Sequence, residues 1–388
     1  MPIINRIAEF HKDMSAWRQD IHAHPETAFE EHRTSAIVAD KLESFGVEVH
    51  KGLAGTGIVG TLSTGDGPTI GLRADMDALH IDELNDFDHK STHDGKMHAC
   101  GHDGHTTMLL GAARYLAETK RFKGTVRFIF QPAEENEGGG RKMVEDGLFE
   151  KLPVDKVFGM HNWPGMPLGA MAMTAGPQMA AVDRFTITVK GQGFHGAMPN
   201  LGVDAVLTAA EIVLALQSIC ARKTDPLDAA VLSVAQFHAG DTANVVPDQA
   251  VLNGTTRVLR PEVHDTIEAS VRRICEGIAS AHGAEVDVDY RKGYPATINT
   301  EAETELAARA ANAVVGADKV DRNPNPSLGA EDFSYMLQER PGCYAWIGNG
   351  PGEGGCILHN ARYDFNDEIL PIGASYWATL TEQVLSAD

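Results

Sequence analysis

The stretch Thr125-Val-Arg-Phe-Ile-Phe-Gln-Pro-Ala-Glu-Glu135 decides how this chain folds. Residues 125–130 are rich in β-branched and aromatic side chains, and Pro132, which cannot donate to a sheet, ends the run. The pattern predicts a strand that stops at two adjacent carboxylates. Upstream, residues 105–119 carry a helical pattern; downstream, a helix near 140–149 precedes a strand at 156–160 that ends at His161. Further back, short apolar runs at 57–62 and 69–72 read as strands, and the second leads into Arg73-Ala-Asp-Met-Asp77, an acidic strand exit. Strands alternating with helices, with polar residues gathered where the strands stop, predict an α/β fold on a mixed sheet with a site at its carboxyl edge.

The texture changes at Asp183. Strand 183–190, helix 202–222, strands 229–238 and 249–258, helix 262–282 and strand 284–290 succeed one another, the βαββαβ order of a ferredoxin-like domain. After Tyr294 the first texture returns, with a helix at 301–315, Gly329-Ala-Glu-Asp-Phe-Ser-Tyr335, a strand near 343–347 and a last helix from about Leu370. Residues 1–182 and 294–388 therefore read as a discontinuous catalytic domain and 183–293 as an insertion, and 388 residues are too many for one ordinary core. At the amino end Ile3, Ile7, Phe10, Met14, Trp17 and Ile21 mark one amphipathic helix from Met1, not a signal peptide. A second helix carries Ile37, Val38, Leu42 and Phe45 and is capped by Gly46.

A net charge of -21 repels phosphate backbones, so nucleic acid is not an expected partner. No apolar run approaches the roughly 18 residues that span a bilayer, and no membrane is expected. Cys100, Cys220, Cys275, Cys343 and Cys356 are odd in number and scattered, which fits a reducing cytoplasm better than a disulfide framework.

The densest chemistry lies in Met97-His-Ala-Cys-Gly-His-Asp-Gly-His105. Thiol, imidazole and carboxylate side by side suit a transition metal. Glu134 and Glu135 occupy a strand end, where neighbouring side chains alternate in direction, so one can face a metal while the other faces a water or substrate. With Cys100, His102, His161 and His359 in strand-end or loop positions, Glu135 completes five candidate ligands. Two metals need several ligands and a shared bridge, which a thiolate or a carboxylate can supply. Glu134 is the candidate general base, taking a proton from water and passing it to a leaving amine. His195, in Gly191-Gln-Gly-Phe-His-Gly-Ala-Met-Pro199, is the candidate oxyanion donor. The chain has no Gly-x-Ser-x-Gly elbow, and Cys100 as a nucleophile is the competing reading.

These residues resemble the dinuclear metallo-amidohydrolases that include bacterial hippurate hydrolases, N-acyl-amino-acid amidohydrolases and plant auxin-conjugate hydrolases, relatives of aminoacylases and carboxypeptidase G. The resemblance runs through Leu72-Arg-Ala-Asp-Met-Asp-Ala-Leu79, Met97-His-Ala-Cys-Gly-His-Asp103, Gln131-Pro-Ala-Glu-Glu135, Gly159-Met-His161, Asn244-Val-Val-Pro-Asp248, Gly254-Thr-Thr-Arg257, Glu331-Asp-Phe-Ser334 and Leu358-His359. It implies a metallopeptidase-like catalytic domain under a lid that also dimerises. It implies Cys100, His102, Glu135, His161 and His359 as ligands of two divalent ions, with Cys100 bridging and Glu134 as base. His195, Asn244 and Arg257 match lid positions that reach the substrate or the oxyanion, the histidine serving its own or a partner subunit's site. Zn, Mn, Co and Ni all tolerate such ligands. The implied reaction is hydrolysis of N-acyl amino acids; cleavage of small peptides, or a silent metal carrier, are the alternatives. The chain departs from the family at Asn200 and His80, where a histidine and a proline are common.

Overall fold

The computed structural model describes residues 3–135, 137–351 and 357–386. Met1, where the first predicted helix begins, and Cys356 lie outside the described residues. The chain divides into two compact units, one of Met1–Gly176, Ile298–Asn325 and Asp332–Asp388, the other of Pro177–Thr297 and Pro326–Glu331. Chain order had put Pro326–Glu331 with the catalytic span; the segment clusters with the second unit because Ser327 pairs with the backbone of Gln178 and Ala180.

Twelve strands build the two main sheets. Before the second unit come β1 (Glu48–Leu53), β2 (Gly57–Ser63), β3 (Thr69–Asp75), β4 (Thr125–Gln131), β5 (Lys156–Trp163) and β6 (Met171–Ala172). The second unit carries β7 (Ala181–Lys190), β8 (Ala230–His238), β9 (Gln249–Val258) and β10 (Glu285–Lys292); β11 (Val320–Asp321) and β12 (Gly342–Gly348) then return to the first.

The first sheet runs in the order β1-β2-β4-β3-β5-β12-β6-β11. Its centre, β4, β3, β5 and β12, is parallel. These strands are buried almost throughout, which is why they read as continuous apolar runs: a parallel sheet is covered on both faces. The helix His102–Thr119 packs on the sheet and against the last helix, Leu370–Val384. Register brings the carboxyl ends together, Asp75 opposite Gln131 and His161 opposite Trp346.

Several boundaries differ from expectation. The amino-terminal helix breaks into Asn5–Glu9 and His11–His22, where the Phe10 N–H bonds back to Ile7. The helix expected near 140–149 is two short ones, Gly139–Glu145 and Leu148–Lys151, separated at Gly147 with φ 89°. β1 was not expected; it is a largely exposed edge strand with little apolar signal, held by pairing to β2. The helix expected at 105–119 begins at His102, so His102 opens a helix instead of sitting in a loop, and β5 continues through His161 to Trp163.

In the second unit the order β8-β9-β7-β10, antiparallel throughout, is the ferredoxin-like arrangement. Alternating burial along β7 gives the sheet one covered face. Helix Ala205–Arg222 is, by length and composition alone, long and apolar enough to cross a membrane. Its Ala205, Thr208, Ala209, Ile212, Leu216 and Ile219 nevertheless form a buried stripe at helical spacing, packed on the sheet and on helix Pro261–His282.

Candidate metal centre

Five segments of the first unit converge at the carboxyl edge of the parallel strands. Cys100 ends the loop before helix His102–Thr119 and His102 begins the helix. Glu134 and Glu135 come directly after β4, His161 lies within β5, and His359 stands on the loop before the last helix. Cys100 Sγ is 3.3 Å from His161 Nε2, and His359 Nε2 is 3.1 Å from Glu135 Oε1. The donor atoms of Cys100, His102 and His161 lie within 4.8 Å of one another, as do those of Cys100, Glu135 and His359. These two triads share the Cys100 thiol. A third group at the same spacing joins His102, Glu134 and Glu135.

Local backbone geometry holds these groups. Gly101 has φ 90°, and a Cβ there would collide with the Asn162 amide and the Tyr363 hydroxyl. Those same groups brace the loop: Asn162 Nδ2 donates to the Cys100 carbonyl at 2.6 Å, and Tyr363 donates to Asn162 Oδ1 at 2.7 Å. His359 and Ala133, the residue before Glu134, have positive φ of 62° and 54°. Such conformations cost an L residue of order 1–3 kcal/mol and persist only where the surroundings enforce them. The His359 N–H is tied to the Ala99 carbonyl at 2.8 Å, which joins the loops that carry Cys100 and His359.

Hydrogen bonds behind the rings decide which ring nitrogens are free. His161 Nδ1 donates to the Asn162 carbonyl at 2.6 Å and His102 Nδ1 to Asp77 Oδ1 at 3.1 Å. Both present Nε2, and His102 Nε2 is buried without a hydrogen-bond partner among the described residues. A buried ring nitrogen left without a partner in this way suits a cation once its proton is lost. Asp77 also accepts the Glu135 N–H at 2.9 Å, so it orients two donors at once. His105 has no nitrogen to spare: Nδ1 donates to Asp75 at 2.6 Å and Nε2 accepts the Asn162 N–H at 2.9 Å. The sequence reading marks Asp75 and Asp77 as a strand-end site without giving them a task. Their i, i+2 spacing, which turns both to one side of an extended chain, was the available signal.

The electrostatics fit the same picture. Burial, with Glu135, Glu134 and Asp75 close by, holds the Cys100 thiol well above its usual range. Burial, reinforced by His105 and His102, holds His161 well below that of a free imidazole. A thiol hard to ionise beside an imidazole hard to protonate does not activate itself, which disfavours Cys100 as a nucleophile. Burial alone would lower His102, yet Asp75, Asp77 and Glu135 outweigh it and raise its pKa to about 10. The field that attracts a proton there attracts a divalent ion equally, so this donor set fits a metal.

The other three candidates lie in the second unit. His195 and Asn244 are neighbours: His195 pairs with Val245 in a two-stranded ribbon, and the Gly196 N–H donates to the Asn244 carbonyl at 2.9 Å. His195 Nδ1 accepts the Ala197 N–H at 3.1 Å, which leaves the proton on Nε2 of an exposed ring. Arg257, on β9, donates to the Thr255 hydroxyl and to the Thr256 carbonyl.

A mixed thiol, imidazole and carboxylate cluster, buried except at His359, at the carboxyl edge of a parallel sheet, in a chain with a ferredoxin-like second unit, defines the class of metal-dependent hydrolases. The chain belongs to peptidase family M20/M25/M40, whose profile matches residues 71–383. It is 39% identical to a hippurate hydrolase of Campylobacter jejuni over 386 residues, covering 99% of this chain and 100% of that one. It is 38% identical to an N-acetylcysteine deacetylase of Bacillus subtilis, covering 97% and 98%. Among solved structures, a dinuclear metal-binding M20 peptidase of Bacillus subtilis superposes with a TM-score of 0.86 at 35% identity, over 98% of this chain and 99% of that one.

Proposed function

We propose that this chain hydrolyses the amide bond of N-acyl amino acids, using two divalent transition-metal ions held by Cys100, His102, Glu135, His161 and His359. The observation that carries the reading is the pair of donor triads sharing the Cys100 thiol, with Glu134 beside them. Relatives named for hippurate and N-acetylcysteine support this substrate class. Two ions held there would supply Lewis acidity and acidify a water. Glu134 takes the proton from that water and delivers it to the departing amine. Its Oε1 faces the Asp332 N–H at 3.4 Å. His195, with its proton on Nε2, donates to the developing oxyanion, Asn244 supports that ribbon, and Arg257 clamps the substrate carboxylate. The test is a panel of hippurate-like N-acyl amino acids and free-amine dipeptides, each with and without chelator. The acyl amino acids should be cleaved faster and only without chelator; faster dipeptide cleavage would overturn the substrate assignment.

The second unit supports self-association. Helix Ala205–Arg222 leaves Leu207 50% and Leu214 74% exposed, an apolar face of the kind that marks an interface. A dimer by light scattering, turned monomeric by Leu207→Lys with Leu214→Lys, is expected; an unchanged mass rejects this interface. The described cysteines are all free, in keeping with a reducing cytoplasm.

A further inference from the structure

Glu31 is a fully buried carboxylate outside the donor set. Its Oε1 accepts the Ala133 N–H at 2.9 Å and the Phe29 N–H at 3.1 Å, and its Oε2 accepts the Thr56 hydroxyl at 2.6 Å. The donors come from three separate segments: the turn before helix His32–Ser44, the β1–β2 connection and the exit of β4. Each is backbone in an unfavourable region. Phe29 has φ 61°, Ala133 φ 54°, and Ala54, whose carbonyl accepts the Thr56 N–H, has φ 50°. Two of the five described non-glycine residues with positive φ therefore donate to one carboxylate, and a third, Ala54, lies two residues from its third donor.

The left-handed turn at Ala133 aims the two glutamates that come after it. Relaxing Ala133 toward the extended region would swing the Glu134 and Glu135 backbone away from the thiol and imidazoles. An Ala side chain has no conformational reason to stay at φ 54°, so something must hold its N–H in place. A carboxyl oxygen buried against that N–H does so, because a buried hydrogen bond is directional and costly to leave unmade.

We propose that Glu31 is a positioning residue that, through the Ala133 N–H, locks the turn presenting Glu134 as base and Glu135 as ligand. This rests on the function proposed above. What matters is acceptor geometry at Oε1, not negative charge. The Gln carbonyl can take both N–H bonds while its amide faces the Thr56 hydroxyl, which can accept. The Met side chain can take neither.

The experiment compares Glu31→Gln and Glu31→Met with wild type, scoring kcat and KM per metal-loaded subunit on an N-acyl amino acid and the visible spectrum of the cobalt-loaded protein. Glu31→Met should lose about 10- to 100-fold in kcat with KM nearly unchanged, the loss expected of a small misplacement of reacting groups. Its cobalt bands should shift as Glu135 moves. Glu31→Gln should match wild type in both. A wild-type kcat and cobalt spectrum in Glu31→Met overturns the proposal, and so does equal damage in Glu31→Gln, which would assign the role to charge. A purely structural residue would lower thermal stability and leave kcat per loaded subunit unchanged. If Glu31→Met does not fold, Thr56→Val, which releases Oε2 and so frees the carboxyl to turn Oε1 off the Ala133 N–H, should show the same split at smaller size; wild-type values there overturn the proposal. Wild type that cleaves no N-acyl amino acid defeats the function proposed above, while the cobalt spectra still decide the role of Glu31. Wild type that binds no cobalt overturns both.

Discussion

Glu134 and Glu135 are chemically identical neighbours, and only their settings make them different. The Glu135 N–H is tied to Asp77 and its carboxylate faces His359, whereas Glu134 Oε1 faces the Asp332 N–H at 3.4 Å. Glu134→Gln is therefore expected to keep its metals and fold while kcat on N-acyl amino acids falls about 10²–10⁴-fold, the usual weight of a general base. Elemental analysis beside steady-state kinetics checks it, and near-normal turnover would remove Glu134 from that role. Asp77→Asn should weaken metal affinity about 10- to 100-fold, since it loosens the His102 ring and the Glu135 backbone together; chelator competition measures this. The donor types at this site were readable from residue chemistry alone. Spacing could not separate His102 from His105, because i and i+3 share a helix face. The difference is made by the Asn162 N–H, distant in sequence, which occupies His105 Nε2 and leaves His102 Nε2 bare.

Elements with a buried face announced themselves. β4, β5 and β12 read as strands because a parallel sheet demands apolar residues on both sides, and the helices of the second unit show clean stripes. β1 did not, because an edge strand draws its order from its partner. The breaks at Phe10 and Gly147 are local backbone events that periodicity averages away. Where β7 meets its neighbours, Asp183 Oδ2 accepts from the Tyr290 hydroxyl at 2.7 Å and pairs with His264, and Oδ1 accepts the Gly293 N–H at 3.1 Å. Burial would raise this carboxyl, but the bonds from His264 and Tyr290 dominate and hold it below the usual range. A depressed folded-state value means that the group stabilises above the unfolded pKa near about 3.9 and loses that contribution as pH falls through the folded value. Asp183→Ala should cost roughly 1–3 kcal/mol near neutrality by urea unfolding. The gap to wild type should narrow in acid; a gap independent of pH would contradict this role for Asp183.

For the whole molecule, metal binding and proton release must be linked. Burial and nearby carboxylates keep the Cys100 thiol protonated, and Asp75, Asp77 and Glu135 keep His102 protonated to a pKa of about 10. Both groups must lose a proton to become ligands, so apparent affinity should rise with pH. Calorimetric titration in buffers of different ionisation enthalpy should register protons leaving, and a buffer-independent heat would oppose it. The sequence changes texture at Asp183 and after Tyr294, whereas the compact units divide at Pro177 and after Thr297. The attachment of Pro326–Glu331 to the second unit was not legible, since that short segment has no period of its own and is placed by pairing with Gln178 and Ala180. A two-ion site held by donor triads that share Cys100 and that cleaves acyl amino acids is most sharply tested by hippurate turnover in protein stripped with chelator and titrated with Zn, Mn or Co. Activity should vanish on stripping and return to a plateau at about two ions per chain; undiminished turnover after stripping, or full recovery at a single ion, would contradict it.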